Sequence, residues 1–187
     1  MPSEAAPTVD ETAISAKMGR LNQYLKYLHE LRKSSPEEFR EDFRISGAAE
    51  RYLQVAIECI IDIGNEIISS LQLRRPTRYR DIPHILSEAK IIPKDFAETI
   101  ASMISFRNLL VHDYAEIDLE LVYEFLQKRL QDFETFMKYI TQWLKETQTQ
   151  TKNGEESSHS NQGGKPLETA ARDPNQKGGE PTPRPQR

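Results

Sequence analysis

With 187 residues, 37 % of them hydrophobic and 29 % charged, the chain is long enough for one compact domain and too short for two large ones. No run approaches the roughly 18 uninterrupted apolar residues of a membrane span, the start MPSEAAPTVDETA lacks the basic and apolar parts of a secretory signal, and a lone Cys59 excludes an intrachain disulfide and a cysteine-rich zinc site, so a cytoplasmic setting is expected. Residues 1–150 carry 19 Lys/Arg against 24 Asp/Glu, a mildly acidic body that argues against coating nucleic acid over a broad basic face but leaves room for a local basic site.

Residues 1–9 are polar and are expected to be disordered. Ile14, Met18, Leu21, Leu25 and Leu28 then recur at steps of four and three, which predicts an amphipathic helix from about Asp10 to Lys33. Ser35-Pro36-Glu37-Glu38 sets an N-cap serine, a first-turn proline and a capping-box glutamate in register for a new helix. A break is expected around Ser46-Gly47. After it, Leu53, Ala56, Ile57, Ile60, Ile63, Ile67 and Leu71 mark a second long helix that ends before Arg74-Arg75-Pro76.

Asp81 to Ala89 reads as a short helix in a connection. Pro93 opens the next long helix, with Phe96, Ile100, Ile104 and Val111 on its apolar face. Asp118 is the expected N-cap of one last long helix, whose stripe runs Val122, Leu126, Leu130, Phe133, Met137, Ile140 and Leu144. Near Thr147 the composition changes: between 151 and 187 the aliphatic residues are only Leu167, Ala170 and Ala171, so residues 148–187 are expected to form a disordered polar tail. No segment shows the alternation of a strand. The expected fold is an all-α antiparallel four-helix bundle over residues 10–147, with one or two short extra helices.

Arg107 breaks this pattern informatively. At about 100° per residue it falls within roughly 20° of Ile100 and about 40° of Ile104 and Val111, on the buried stripe of its own helix. A desolvated guanidinium must be paired or held ready for an anion. The structural alternative pairs it with Glu58 or Asp62, two carboxylates spaced i,i+4 on the second long helix that could equally partner Arg51. Their other use, as a metal pair, is less favoured.

The string Ser105-Phe106-Arg107-Asn108-Leu109-Leu110-Val111-His112-Asp113-Tyr114 contains Arg, four residues, His, one residue, Tyr. It resembles the RxxxxHxY signature of the HepT-like toxins, a branch of the HEPN superfamily of helical ribonucleases. Arg51-Tyr52-Leu53-Gln54 with Ala56-Ile57-Glu58 and Ile61-Asp62-Ile63 resembles the family's second-helix pattern, and Pro93, Phe96 and Phe106-Arg107-Asn108 also fall where the family has them. The resemblance spans roughly residues 12–146 and departs at the two polar termini.

What the resemblance implies is a metal-independent endoribonuclease toxin of a type VII toxin–antitoxin system, with Arg107 and His112 catalytic, Asn108 auxiliary and no cofactor. The residue types suit the chemistry. RNA carries its own nucleophile, the 2′-hydroxyl, so an enzyme need only align it, move protons and stabilise phosphoryl charge, giving a 2′,3′-cyclic phosphate and a 5′-hydroxyl. Histidine, with an unperturbed pKa of about 6.5, exchanges protons near neutrality, and the arginine fork holds two phosphate oxygens. One motif histidine per chain, against a need for a base and an acid, predicts a homodimer with a composite site. The resemblance further implies a MntA-type nucleotidyltransferase as antitoxin, which silences the toxin by AMPylation of Tyr114. The rivals are a non-catalytic helical subunit that presents substrate to such a nucleotidyltransferase, and a plain helical adapter.

Other candidates are weaker. His29, His84 and His159 lie in separate regions without metal-ligand spacing and read as surface residues, and Cys59 reads as core packing. Arg74, Arg75, Arg78 and Arg80 form the densest basic cluster, either a solvated connection or a contact for RNA phosphate or a protein partner.

Overall fold

The structure, a computed structural model, describes residues 9–112 and 118–159, with side chains described through 111 and over 118–149. The described residues form seven helices and no strand: α1 (Glu11–Leu31), α2 (Pro36–Glu41), α3 (Phe43–Ser70), α4 (Asp81–Glu88), α5 (Lys94–His112), α6 (Leu119–Lys128) and α7 (Leu130–His159). Four long passes, α1, α3, α5 and α6–α7, make the expected antiparallel bundle, and α2 and α4 are its short extra helices.

Local chemistry sets most of the starts. The Asp10 side chain accepts the Ala13 N–H at 2.9 Å and opens α1, while Val9, expected in the disordered N-terminus, packs against the core. At α2 the capping box closes both ways: Ser35 Oγ accepts the Glu38 N–H at 3.2 Å and the Glu38 carboxylate accepts the Ser35 N–H at 2.8 Å. Asp118 caps α6 by accepting the Glu120 and Leu121 N–H groups.

Three expectations need correction. The break falls at Asp42, not at Ser46-Gly47: Asp42 caps α3 and also holds the Arg44 guanidinium, and the helix runs unbroken through a buried Ser46. Burial there outweighs the cost of about 1 kcal/mol that glycine carries inside a helix. The last long helix is two, divided at Arg129. Finally, α7 continues to His159, through residues 148–159 assigned to the polar tail. Its backbone satisfies itself without an apolar stripe, and Gln142–Glu146 and Thr149–Lys145 hydrogen bonds support the exposed turns. By internal contacts the chain divides after Gln150, and residues 151–187 form a second unit.

One continuous core joins the passes. α1 lies along α3 through Ile14, Leu21, Leu25 and Leu28, and Phe133, Phe136 and Ile140 of α7 are fully buried in the same cluster. α3 and α4 each end in a Schellman turn, in which Leu73 donates to Ile68 and Ile91 donates to Leu86, both at 2.9 Å. Gln72 (φ 52°) and Lys90 (φ 61°) take the left-handed position that usually belongs to glycine. These turns reverse the chain so that α4 returns across α3 at Gly64, where an added Cβ would sit 2.3 Å from Ile82 Cγ2.

Candidate active site

α5 delivers Arg107 to its crossing with α3. The side chain is 17 % exposed, and its Nε and Nη2 both donate to Glu58 Oε1, at 3.2 and 2.7 Å. Of the two carboxylates considered from sequence, Glu58 is therefore the partner, and Asp62 is exposed outside the network. The network extends along the i,i+3 and i,i+4 steps of α3: Gln54 Nε2 donates to the same Glu58 oxygen at 3.0 Å, and Arg51 Nη1 donates to Gln54 Oε1 at 3.2 Å. Burial pushes the Glu58 carboxyl up, but the Gln54 amide, the Arg107 guanidinium and the more distant Arg51 together bring it below its ordinary value. The pair is thus ionic at neutral pH. A guanidinium carries five N–H donors, and two are spent on Glu58, so the fork keeps capacity for an anion.

Asn108, the next residue, is exposed and lines a cleft of about 600 Å³. Its other walls are Asn65 of α3 and the α3–α4 connection from Pro76 to Arg80. That connection is pinned at both ends. Arg74 makes a bidentate ion pair with Glu88, both bonds at 2.8 Å, and the Asp81 carboxylate accepts the Thr77 and Arg78 N–H groups at 2.9 Å. Those backbone donors lower the Asp81 pKa. The arginine cluster seen in sequence therefore divides: Arg74 is structural, Arg75 is exposed outside the cleft, and Arg78 and Arg80 line it.

Asn65, Thr77 and Tyr79 of the cleft escaped the sequence reading. Tyr79 is 54 % exposed, and an aromatic residue between arginines was the available signal. Asn65 follows the glycine at which α4 approaches, a contact that only the tertiary structure displays. His112 closes α5 at the backbone level, and Tyr114 lies outside the described residues.

The other candidates fall elsewhere. His29 hydrogen-bonds Glu134 at 3.0 Å across α1 and α7, and His84 stands 3.8 Å from Glu98. The Cys59 thiol is buried, which pushes its pKa up and removes it as a nucleophile. Among the described residues no helix is long and apolar enough to cross a membrane.

A helical bundle with an Arg-x4-His helix at its inner crossing defines the class as HEPN-type. The chain belongs to the HepT-like ribonuclease family, whose model, described as "Ribonuclease HepT-like", matches residues 21–140. The mRNA nuclease HepT of Shewanella oneidensis is 34 % identical over 103 residues, 55 % of this chain and 77 % of that protein. The tRNA nuclease HepT of Aphanizomenon flos-aquae is 25 % identical over 136 residues, 73 % and 92 % of the two chains. Among solved structures, the tri-AMPylated HEPN toxin of Shewanella oneidensis, in complex with an MNT antitoxin, has a TM-score of 0.64 at 29 % identity and covers 69 % of this chain and 96 % of its own. The Bacillus subtilis cytosolic protein YutE has a TM-score of 0.65 at 25 % identity, with 74 % and 93 % covered.

Proposed function

We propose that this ribonuclease is an endoribonuclease toxin that cuts RNA without a metal ion. The 2′-oxygen attacks the adjacent phosphorus, the P–O5′ bond breaks, a base takes the 2′-hydroxyl proton and an acid delivers one to the leaving 5′-oxygen. The products are a 2′,3′-cyclic phosphate and a 5′-hydroxyl. Arg107 holds the phosphoryl oxygens, His112 moves protons and Asn108 orients the substrate. The observation that carries this reading is Arg107, paired with Glu58 through two of its donors and with others to spare, next in sequence to Asn108, which lines a nucleotide-sized cleft.

The active form in this proposal is a homodimer. On an unbroken helix five steps set His112 about 7.5 Å along and roughly 140° round from Arg107, so the two positions do not share a face. A second α5 across a two-fold axis would bring one chain's histidine to the other's arginine and supply both an acid and a base.

The likeness to a tri-AMPylated HEPN toxin bound to an MNT antitoxin supports a MntA-type nucleotidyltransferase as partner, with Tyr114 the AMP acceptor. Each AMP would bring about one negative charge into a site made for phosphate and compete there with RNA.

RNA cleavage by purified wild type, Arg107→Ala and His112→Ala, measured beside thermal melts, tests the reading. Wild type should give fragments with 5′-hydroxyl ends in the presence of a chelator, and both variants should lose cleavage while remaining folded, with a cooperative melt. Loss of folding in both variants would make the residues structural, as the adapter reading requires.

A further inference from the structure

We infer that the cleft between Asn65, Asn108 and the 76–80 connection is a nucleotide subsite, where Tyr79 stacks on a base beside the cleaved phosphate and Arg78 and Arg80 hold the phosphate that follows it. The inference rests on the ribonuclease reading above and deepens it by saying where the substrate chain lies.

Four observations meet here. The cleft's volume, about 600 Å³, falls in the range of pockets that enclose a small organic ligand. Its chemistry is that of single-stranded RNA recognition: an exposed aromatic face, two guanidinium groups and two side-chain amides that can each both donate to and accept from a base edge. Neither Arg78 nor Arg80 makes an ion pair among the described residues, in contrast to Arg74, which is consumed by Glu88. And the cleft is contiguous with the motif, because Asn108 forms its wall and is bonded in sequence to Arg107.

The connection is also built to hold its shape. Pro76, the Arg74–Glu88 ion pair and the Asp81 carboxylate on two successive N–H groups fix the backbone on both sides of Tyr79. The Asp81 and Ile82 N–H groups donate back to Arg78 and Tyr79 carbonyls at 2.9 and 3.2 Å. Such a platform loses little freedom when a base stacks on it. A protein partner fits less well, since the lining offers no aliphatic side chain for an anchor apart from the Pro76 ring.

The test uses the full chain and a single-stranded RNA oligonucleotide, with Tyr79→Ala, Tyr79→Phe and Arg78→Ala/Arg80→Ala compared with wild type. Binding is read by fluorescence anisotropy in the Arg107→Ala background, and kcat/KM by cleavage in the otherwise native chain. Tyr79→Ala should weaken RNA binding about tenfold, the loss of one base–aromatic stack, and lower kcat/KM alike. Tyr79→Phe should stay within about twofold because the ring face is kept. The double arginine variant should weaken binding and flatten its salt dependence.

Wild-type affinity and cleavage in both Tyr79→Ala and the double variant would overturn the subsite. So would variants that cleave normally and lose only neutralisation by the antitoxin, which would assign the cleft to the protein partner. If wild type fails to cleave RNA, the ribonuclease reading falls, and the binding comparison still decides the subsite.

Discussion

Two arginines sit at helix crossings of this bundle and are used in opposite ways. Arg129, at the joint between α6 and α7, spreads its donors over the Asp132 carboxylate at 2.5 Å, Ser102 Oγ at 3.1 Å and the Thr99 carbonyl at 3.4 Å. Its guanidinium also lies 5.6 Å from the centre of the Phe125 ring, which stacks on Phe106 at 3.9 Å. Arg107 sets two donors on one oxygen of Glu58 and makes no other bond among the described residues. A cation that ties three elements together is a clamp. A cation held by one carboxylate, with donors left over, is positioned for a ligand, because a phosphate can join its fork without dismantling the frame.

The sharpest way to break this contrast is to remove each guanidinium. Arg107→Ala should reduce RNA cleavage by about 10²–10³-fold, the usual effect of deleting a donor aimed at developing charge, with a Tm loss comparable to that of Glu58→Gln because the same ion pair is broken. Arg129→Ala should act on stability alone: a loss of about 2 kcal/mol from charged hydrogen bonds, which lowers Tm by roughly 4–8 °C, while cleavage by the folded fraction persists. Activity assays and calorimetry on the two proteins decide the matter. A large Tm loss in Arg107→Ala with none in Arg129→Ala would invert the assignment.

Glu58→Gln sharpens the comparison from the carboxylate side. The amide keeps the shape but not the charge that aligns Arg107, so cleavage should fall by up to about a hundredfold, the penalty of a misplacement near 1 Å. The pH dependence has a definite sign. Because the folded Glu58 lies below its ordinary 4.5, its contribution is present above pH 4.5 and is lost as pH falls through the lower folded value. Wild-type Tm should therefore exceed that of Glu58→Gln near neutrality, with the gap closing at acid pH. A gap that widens there would contradict an ionic pair.

Sequence revealed what local chemistry controls. The Ser35 box, the Asp118 cap and the stripes of α1 and α3 needed no tertiary information, since each is satisfied within a few residues. The α6–α7 joint was invisible, because Val122, Leu126, Leu130 and Phe133 keep helical spacing across it and the break is set by what Arg129 finds on α5. Likewise, Glu58 and Asp62 were equivalent by spacing, and only the register of the α3–α5 crossing chose between them. The motif helix was legible as a pattern. The cleft beside it was not, because it depends on how closely α4 approaches Gly64.

That approach gives the third test, directed at the frame rather than the charges. Gly64→Ala sets a methyl against Ile82, which is 1 % exposed and cannot swing aside. Overpacking of this kind should cost about 1–3 kcal/mol, read by urea unfolding. Since α4 carries the end of the Arg78–Arg80 connection, RNA affinity should weaken as well, whereas Arg129→Ala should leave it intact. An alanine variant as stable as wild type would mean that α4 is free to move, and the cleft with it.

The smallest expected effect asks whether the frame can be strengthened without touching the site. Lys90 is exposed at the left-handed position that ends α4, where a side chain costs roughly 1–2 kcal/mol relative to glycine. Glycine returns part of that gain by enlarging the freedom of the unfolded chain, by about 0.5–1 kcal/mol. Lys90→Gly should therefore stabilise by about 0.5–1 kcal/mol, a rise of roughly 1–4 °C in Tm. The Schellman bonds from Lys90 to Ser87 and from Ile91 to Leu86 use backbone atoms only, so the turn survives the substitution. RNA cleavage should be unchanged, because neither Arg107 nor the cleft touches this end of α4. A stabilised protein with altered kcat/KM would show that the clamp and the poised site are mechanically coupled, and the contrast between the two arginines would then be one of degree.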